Sequence, residues 1–99
     1  MKVVYSDLKN KRVFISGGGS GIGATIVEHF CEQKSEVYFI DIDLKSSKKL
    51  IKKIKKKGYR VPKFIECNIL DVKKLQNIIK DIISKKGAIH CLINSAAND

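Results

Sequence analysis

The chain is 99 residues long, enough for one domain or part of one, with a core of modest size. It carries 20 Lys and Arg against 10 Asp and Glu, a formal net charge of +10, and such a balance raises nucleic acids and anionic surfaces as partners. The distribution argues against a specific nucleic-acid site: Lys45, Lys48, Lys49, Lys52, Lys53, Lys55, Lys56 and Lys57 crowd one stretch with no aromatic among them, whereas single-strand binders interleave aromatics for stacking.

That lysine stretch reads as the solvated face of a helix, with incidental polyanion binding as its rival. Cys31, Cys67 and Cys91 are odd in number and contain no C-x-x-C, which suits a reducing compartment and gives no disulfide framework. His29 and His90 have no partners at metal-ligand spacing. Met1 to Asp7 has no apolar run of signal-peptide length, and no run approaches a membrane span. A soluble, cytoplasmic chain is the expectation.

The first strand runs from Lys11 or Arg12 to Ser16, through the apolar Val13-Phe14-Ile15. A glycine-rich turn follows, then a helix from about Gly21 to Gln33. Ile22, Ile26 and Phe30 lie four apart on it and form one apolar stripe, with Val27 beside it. After Lys34-Ser35, the continuous apolar run Val37-Tyr38-Phe39-Ile40 ends in Asp41 and reads as a parallel strand buried on both faces. Ser46 or Ser47 caps the next helix, Leu50, Ile51 and Ile54 turn inward, and Gly58 ends it. Val61 to Glu66 is a third strand, placed at an edge by Pro62. Asn68 to Asp71 is a loop, with Asp71 as the N-cap of a helix whose apolar residues are Val72, Leu75, Ile78, Ile79, Ile82 and Ile83. Gly87 stops that helix, Ile89 to Ile93 is the fourth strand, and Asn94-Ser95-Ala96-Ala97 begins a loop.

The order βαβαβαβ predicts an α/β fold: a doubly wound parallel sheet with right-handed crossovers, strand order 3-2-1-4 and three connecting helices. The strand order reverses between strands one and four, so the ends at Ser16 and Asn94 should line a ligand crevice. The glycine turn, Ser16-Gly17-Gly18-Gly19-Ser20-Gly21-Ile22-Gly23, sits at that point. A diphosphate needs backbone N–H groups within reach of its oxygens, and any Cβ would hold it off. The following helix aims its positive end at the anion. Gly17 makes the tight turn, Gly21 lets backbone approach the ligand, and Gly23 lets the helix lie close on the strands. Asp41 lies 24 positions beyond Gly17, near the distance at which an acid accepts both ribose hydroxyls of an adenosine and repels a 2′-phosphate. Asp43 is a possible substitute, but strand alternation favours Asp41.

The turn does not fit the general Gly-x-Gly-x-x-Gly spacing. It does fit Thr/Ser-Gly-x-x-x-Gly-Ile-Gly, and so resembles the short-chain dehydrogenases and reductases at every defined position. The likeness extends from Leu8 to Ala97. It implies a Rossmann-type domain, here a single partial one over residues 1–99, and an NAD(H)-binding part of an oxidoreductase. The implied cofactor set is Ser16, Gly17, Ser20, Gly21, Ile22 and Gly23 at the turn, Asp41 at the ribose, Asn68 and Ile69 at the adenine, and Asn94 and Ala96 after the fourth strand. Asn68 stands where the family has Asp; its amide oxygen still accepts a bond, without charge. Asn94-Ser95-Ala96-Ala97 resembles Asn-Asn-Ala-Gly at its first and third places. Family members that prefer NADP carry Lys or Arg in the turn or just after the strand; here Gly19, Ser20 and Ile42 stand there, which implies NAD.

The family's catalytic Ser, Tyr-x-x-x-Lys and relay Asn fall beyond the fourth strand, so no catalytic residue is assigned and the chain alone is expected to be inactive. Tyr59-Arg60-Val61-Pro62-Lys63 matches Tyr-x-x-x-Lys in letters only: Pro62 opposes the helix that would stack the two side chains, and the segment leads into a strand at the wrong end of the sheet. An apolar fourth strand left as an edge implies marginal stability or self-association. The alternatives are an inactive nucleotide-binding fragment and a basic polyanion-binding protein. A small-molecule alcohol or carbonyl substrate is expected only with a C-terminal half.

Overall fold

The computed structural model of the chain describes residues 6–95. After a 3-10 turn at Ser6–Leu8 come β1 (Arg12–Ser16), α1 (Gly21–Glu32), β2 (Glu36–Asp41), α2 (Leu44–Lys56), β3 (Lys63–Glu66), α3 (Val72–Lys86) and β4 (Cys91–Asn94). The strands form one four-stranded sheet in the order β3-β2-β1-β4, and every pairing is parallel. The predicted topology is therefore the observed one.

Alternation along β1 and β2 divides the core. Val13, Ile15, Val37 and Phe39 face α1 and α2, where they meet Val27, Cys31, Leu50 and Ile54. Phe14, Tyr38 and Ile40 face the other way and pack with Cys67 and Ile82. Parallel strands covered on both sides need continuous apolar runs, which is why these two strands show no polar alternation. Burial on both faces removes the most water per residue, at about 25 cal/mol per Å² of apolar surface.

Several local expectations shift. On α1 the buried line is Gly23, Val27 and Cys31, whereas Ile22 is 78% exposed. The helix approaches the sheet most closely at its smallest residue, and a count of apolar side chains does not register a glycine. The N-cap of α2 is Asp43, not Ser46 or Ser47: its carboxylate accepts from the Ser46 N–H at 2.9 Å. Ser47 is instead buried beside Leu50 and Ile54 on the inward face. β4 starts at Cys91 rather than Ile89. His90 takes over the ladder there, its N–H donating to the Arg12 carbonyl and its Nδ1 accepting from the Arg12 N–H, both at 2.8 Å.

Other signals act as expected. Gly58, at φ +76°, follows the end of α2, and Gly87 caps α3. Asp71 caps α3 by accepting from the Lys74 N–H. β3 lies at an edge as expected but begins at Lys63 rather than Val61, because Pro62 has no N–H to give the ladder. On α3, Leu75, Ile78, Ile79 and Ile82 pack inward while Val72 and Ile83 stay exposed. All eight lysines from Lys45 to Lys57 are exposed, and Lys53 and Lys57 bridge to Glu28 on α1.

A charged network ties the opposite end of the sheet. Glu36 Oε2 accepts from Arg12 Nε at 2.9 Å and from the Tyr38 hydroxyl at 2.7 Å. The bond from Arg12 holds the Glu36 carboxyl below its ordinary range, against a smaller opposing effect of burial. Burial, then the bond to Glu36, pushes Tyr38 up to about 12, so the phenol stays neutral.

Two measurements test this packing. A carboxyl lowered in the fold contributes stability above its unfolded pKa and loses it as pH falls through the folded one. Glu36→Gln is therefore expected to cost about 1–2 kcal/mol near pH 7, with the gap to the parent closing in acid; thermal melts across pH follow it. A Cβ on Gly23 would stand 1.8 Å from the Gly17 carbonyl oxygen. Gly23→Ala is expected to cost about 3 kcal/mol or more, whereas Gly58→Ala, in open space with only its positive φ to object, costs about 1–2 kcal/mol.

Candidate functional site

A cleft of about 550 Å³ opens at the C-terminal ends of the strands. The glycine turn, Ile40 to Ile42, Cys67 to Leu70, and Ser95 line it. It lies where β1 and β4 diverge into separate connections, the place a doubly wound sheet leaves open.

Each glycine of the turn has its own reason. Gly17 leaves β1 with φ +73°, and the N–H groups of Gly17 and Gly18 both donate to the Ile40 carbonyl, at 2.8 and 3.2 Å. Those two amides are thus consumed in pinning the turn to β2. A Cβ on Gly18 would meet Phe39 and Val27 at 2.8 Å, and one on Gly19 would meet Ser47 Oγ at 2.3 Å. Gly21 differs: its φ is +58°, and the space where a Cβ would stand is open. Backbone lies bare there toward the cleft.

The helix end supplies donors. The first α-helical bond of α1 runs from the Ala24 N–H to the Ser20 carbonyl. The amides of Gly21, Ile22 and Gly23 precede it and have no place in the helical ladder. Ser20 is extended and exposed at the N-cap, its side chain makes no cap bond, and the first turn carries no acid. The start of α1 therefore has N–H groups, a helix dipole and no carboxylate in its first turn, a setting for an anion.

Asp41 closes another side of the cleft. Its Oδ2 accepts from the Gly19 N–H at 2.9 Å and its Oδ1 from the Asp43 N–H at 2.8 Å. One backbone bond to each oxygen orients the carboxylate and leaves each a second lone pair. Asp43 serves as the α2 cap, and the backbone bond from Ser46 lowers its carboxyl.

On the third wall, Asn68 and Ile69 line the cleft, with Asn68 exposed. Asn68 Oδ1 accepts from the Leu70 N–H at 2.9 Å, an Asx turn that shapes the loop and occupies one of its lone pairs. Below them Cys67 is buried, and desolvation pushes its thiol up, away from reactive thiolate. Ile22, Ile42 and Leu70 are 78%, 66% and 82% exposed around the mouth, large apolar side chains held in water.

Ser16 and Asn94 meet across β1 and β4: the Ser16 hydroxyl donates to Asn94 Oδ1 at 2.8 Å. Ser95 reaches from β4 to the turn, its hydroxyl shared between the Ser16 carbonyl at 2.8 Å and the Gly17 carbonyl at 3.1 Å. The structure thus brings Gly17, Ser20, Gly21, Ile22, Gly23, Asp41, Asn68 and Ile69 to one cleft. Ser16 and Asn94 stand behind it, and Ala96 lies outside the described residues.

The candidate set left out Ile42, Leu70 and Ser95, which line the cleft, and Gly18 and Gly19, which shape the turn. The signal for the glycines was the unbroken run of three, and for Ile42 and Leu70 it was large apolar residues in loops. Tyr59 and Lys63 do not combine. Tyr59 donates to Glu32 beyond the end of α2, and Lys63 opens β3. Among the described residues no group of three His, Cys, Asp or Glu could hold a metal, and no helix is long and apolar enough to cross a membrane.

Comparison with known proteins agrees with this geometry. The family model described as short chain dehydrogenase matches residues 11–98. The "Probable galactose dehydrogenase" of Rhizobium meliloti is 36% identical over 95 residues, covering 96% of this chain and 37% of that protein. D-xylose 1-dehydrogenase of Caulobacter vibrioides is 35% identical over 97 residues, covering 97% of this chain and 37% of that protein. A D-mannonate oxidoreductase candidate from Haemophilus influenza, solved with bound NAD, superimposes with a TM-score of 0.78 at 23% identity, over 93% of this chain and 32% of its own. The chain spans a little over a third of the length of these curated relatives. Its sheet order, its glycine turn and the match over nearly all of its length have one meaning: the chain belongs to the short-chain dehydrogenase family.

Proposed function

We propose that this chain binds NAD(H) and is the cofactor-holding region of an oxidoreductase that moves hydride between the nicotinamide and an alcohol or carbonyl carbon. The observation that carries the reading is the 2.9 Å bond from the Gly19 N–H to Asp41 Oδ2, which joins the anion-binding turn to the ribose-binding acid as one surface. When bound, the cofactor supplies the hydride chemistry. The residues here bind and orient it.

In this reading the free amides at Gly21, Ile22 and Gly23 receive the diphosphate, where α1 adds its dipole. The two outward lone pairs of Asp41 accept the adenosine ribose hydroxyls. Ile42 and Leu70 flank the adenine, Ile69 lines the same wall, and Asn68 accepts from its amino group. Ala96 passes the cofactor on the β4 side, and the Ser16–Asn94 bond steadies the sheet beneath. Support for NAD over NADP comes from charge: a 2′-phosphate beside the Asp41 carboxylate is repelled, and among the described residues no Lys or Arg lines the cleft to offset it. The two curated relatives are named for sugars, so an aldose is the first substrate class to try with a longer protein. The outer edge of β4, unpaired among the described residues, is where a further strand, or a second copy, adds to the sheet.

Titration of the purified chain with NADH, followed by nucleotide fluorescence, tests the reading. Saturable binding is expected, at least about tenfold tighter than for NADPH. Asp41→Ala is expected to weaken NADH by about 10- to 100-fold, the worth of hydrogen bonds to a charged group, and to narrow the gap to NADPH. Indifference to NADH at millimolar concentration overturns it. Binding that collapses with salt and ignores Asp41→Ala favours the polyanion reading instead.

A further inference from the structure

A dense run of charge lies outside the cleft. α2 contains no Asp or Glu, its lysines are all exposed, and none of them lines the cleft. Its inward side is taken up by Ser47, Leu50 and Ile54. Glu28 of α1 neutralises one flank by bridging to Lys53 and Lys57. Among the described residues, Lys48, Lys49, Lys52, Lys55 and Lys56 have no ion pair. Lys45–Lys49, Lys48–Lys52 and Lys52–Lys56 are like-charge pairs at i,i+4, which weaken a helix. The dipole favours Lys55 and Lys56 in the last turn but opposes the lysines of the first half. α3 is also rich in lysine, yet there Asp81 pairs with Lys85. On α2 the repulsion stands without an acid on the helix to relieve it.

We propose that the outward face of α2 is a second binding surface, separate from the cofactor cleft, that contacts the phosphate backbone of duplex nucleic acid without reading its sequence. Lys45, Lys49, Lys52 and Lys56 follow one another at helical spacing and form a single line, with Lys48 and Lys55 beside it. The line rises about 16.5 Å, at about 1.5 Å per residue. Over that length one strand of a duplex carries about five phosphates, nearly one for each lysine. Packing of α2 on the sheet holds the charges in place before a partner arrives. The residue types narrow the partner. Lysine is a point charge suited to phosphate, and α2 has no arginine fork for a base edge. It has no aromatic on which a single strand could stack. A helix that adheres to an anionic membrane also inserts its apolar side, and that side of α2 faces the core.

Fluorescence anisotropy of the full chain with a labelled DNA duplex of about 20 base pairs, followed across salt concentration, tests the proposal. Binding is expected at about 50 mM salt and should weaken with a log–log slope of about −4, the counterions released from four or five phosphates. Two duplexes of unrelated sequence should bind alike. Lys45→Gln, Lys49→Gln, Lys52→Gln and Lys56→Gln combined are expected to weaken binding at least about tenfold and to bring the slope to about −1. The melting temperature of that variant should hold or rise, since the like-charge pairs are gone. Lys73→Gln, Lys74→Gln, Lys80→Gln and Lys86→Gln on α3 remove the same amount of charge and should change the slope by less than about 1. Equal losses in the two variants mean that net charge, and not α2, attracts the duplex, and overturn the proposal. No binding at about 50 mM salt, or a parent slope shallower than about −2, overturns it without any variant. Tighter binding to mixed phosphatidylserine and phosphatidylcholine vesicles than to the duplex assigns the face to membranes and overturns it as well.

Discussion

The contact between Gly23 and the Gly17 carbonyl holds the rest of the site in place. Where a side chain would stand, the oxygen lies 1.8 Å away, so helix and strand end touch backbone to backbone. That closeness rotates α1 so that Val27 and Cys31 face the sheet and Ile22 is thrown outward to the cleft mouth. It also delivers the start of α1, with its unpaired amides, to the point where the sheet opens. Ser95 reinforces it from β4 by donating to the same Gly17 carbonyl. Packing and ligand chemistry here share one cause, a backbone without side chains.

The two ends of the sheet are built to opposite rules. At the N-terminal ends of the strands, polar groups are paired with one another: Arg12 with Glu36 and the Ala88 carbonyl, Tyr38 with Glu36, and Arg60 with Asn10 and the Lys34 carbonyl. Such pairing satisfies groups that would otherwise be stranded beside an apolar core. At the C-terminal ends, Ser16, Asp41 and Ser95 are paired, but other groups face open space. Gly21 meets nothing, Ser20 caps with its backbone alone, and Ile22, Ile42 and Leu70 stay in water. Unused hydrogen-bonding capacity next to exposed apolar surface costs stability and marks where a ligand finds complementary groups.

Much of the fold was legible because its signals are local or periodic. Val37 to Ile40 had to be a strand covered on both sides, Pro62 had to mark an edge, and Asp71 and Gly87 bound α3 as their chemistry requires. The misreadings came from contacts between distant residues. Ile22 repeats correctly with Ile26 and Phe30, but the sheet meets Gly23. Ser46 and Ser47 are good caps in isolation, yet Asp43 comes first and has its amide drawn to Asp41. His90 belongs to an apolar run, but its imidazole takes the Arg12 amide and delays β4.

Spacing along the chain was enough to bring Gly17, Gly21, Gly23 and Asp41 to one cleft, since the turn ends one strand and the acid ends the next. Residue type alone could not tell which amides are used up at Ile40 and which stay free, nor that Asn68 already gives a lone pair to the Leu70 N–H. The family, the order of strands and the acid at the end of β2 are all written in periodicity and glycine placement, because these are one-dimensional patterns. The conjunction of Gly19, Asp41 and Ser47, and the tie from Ser95 to Gly17, exist only after folding, because each joins segments whose separation along the chain carries no hint of contact.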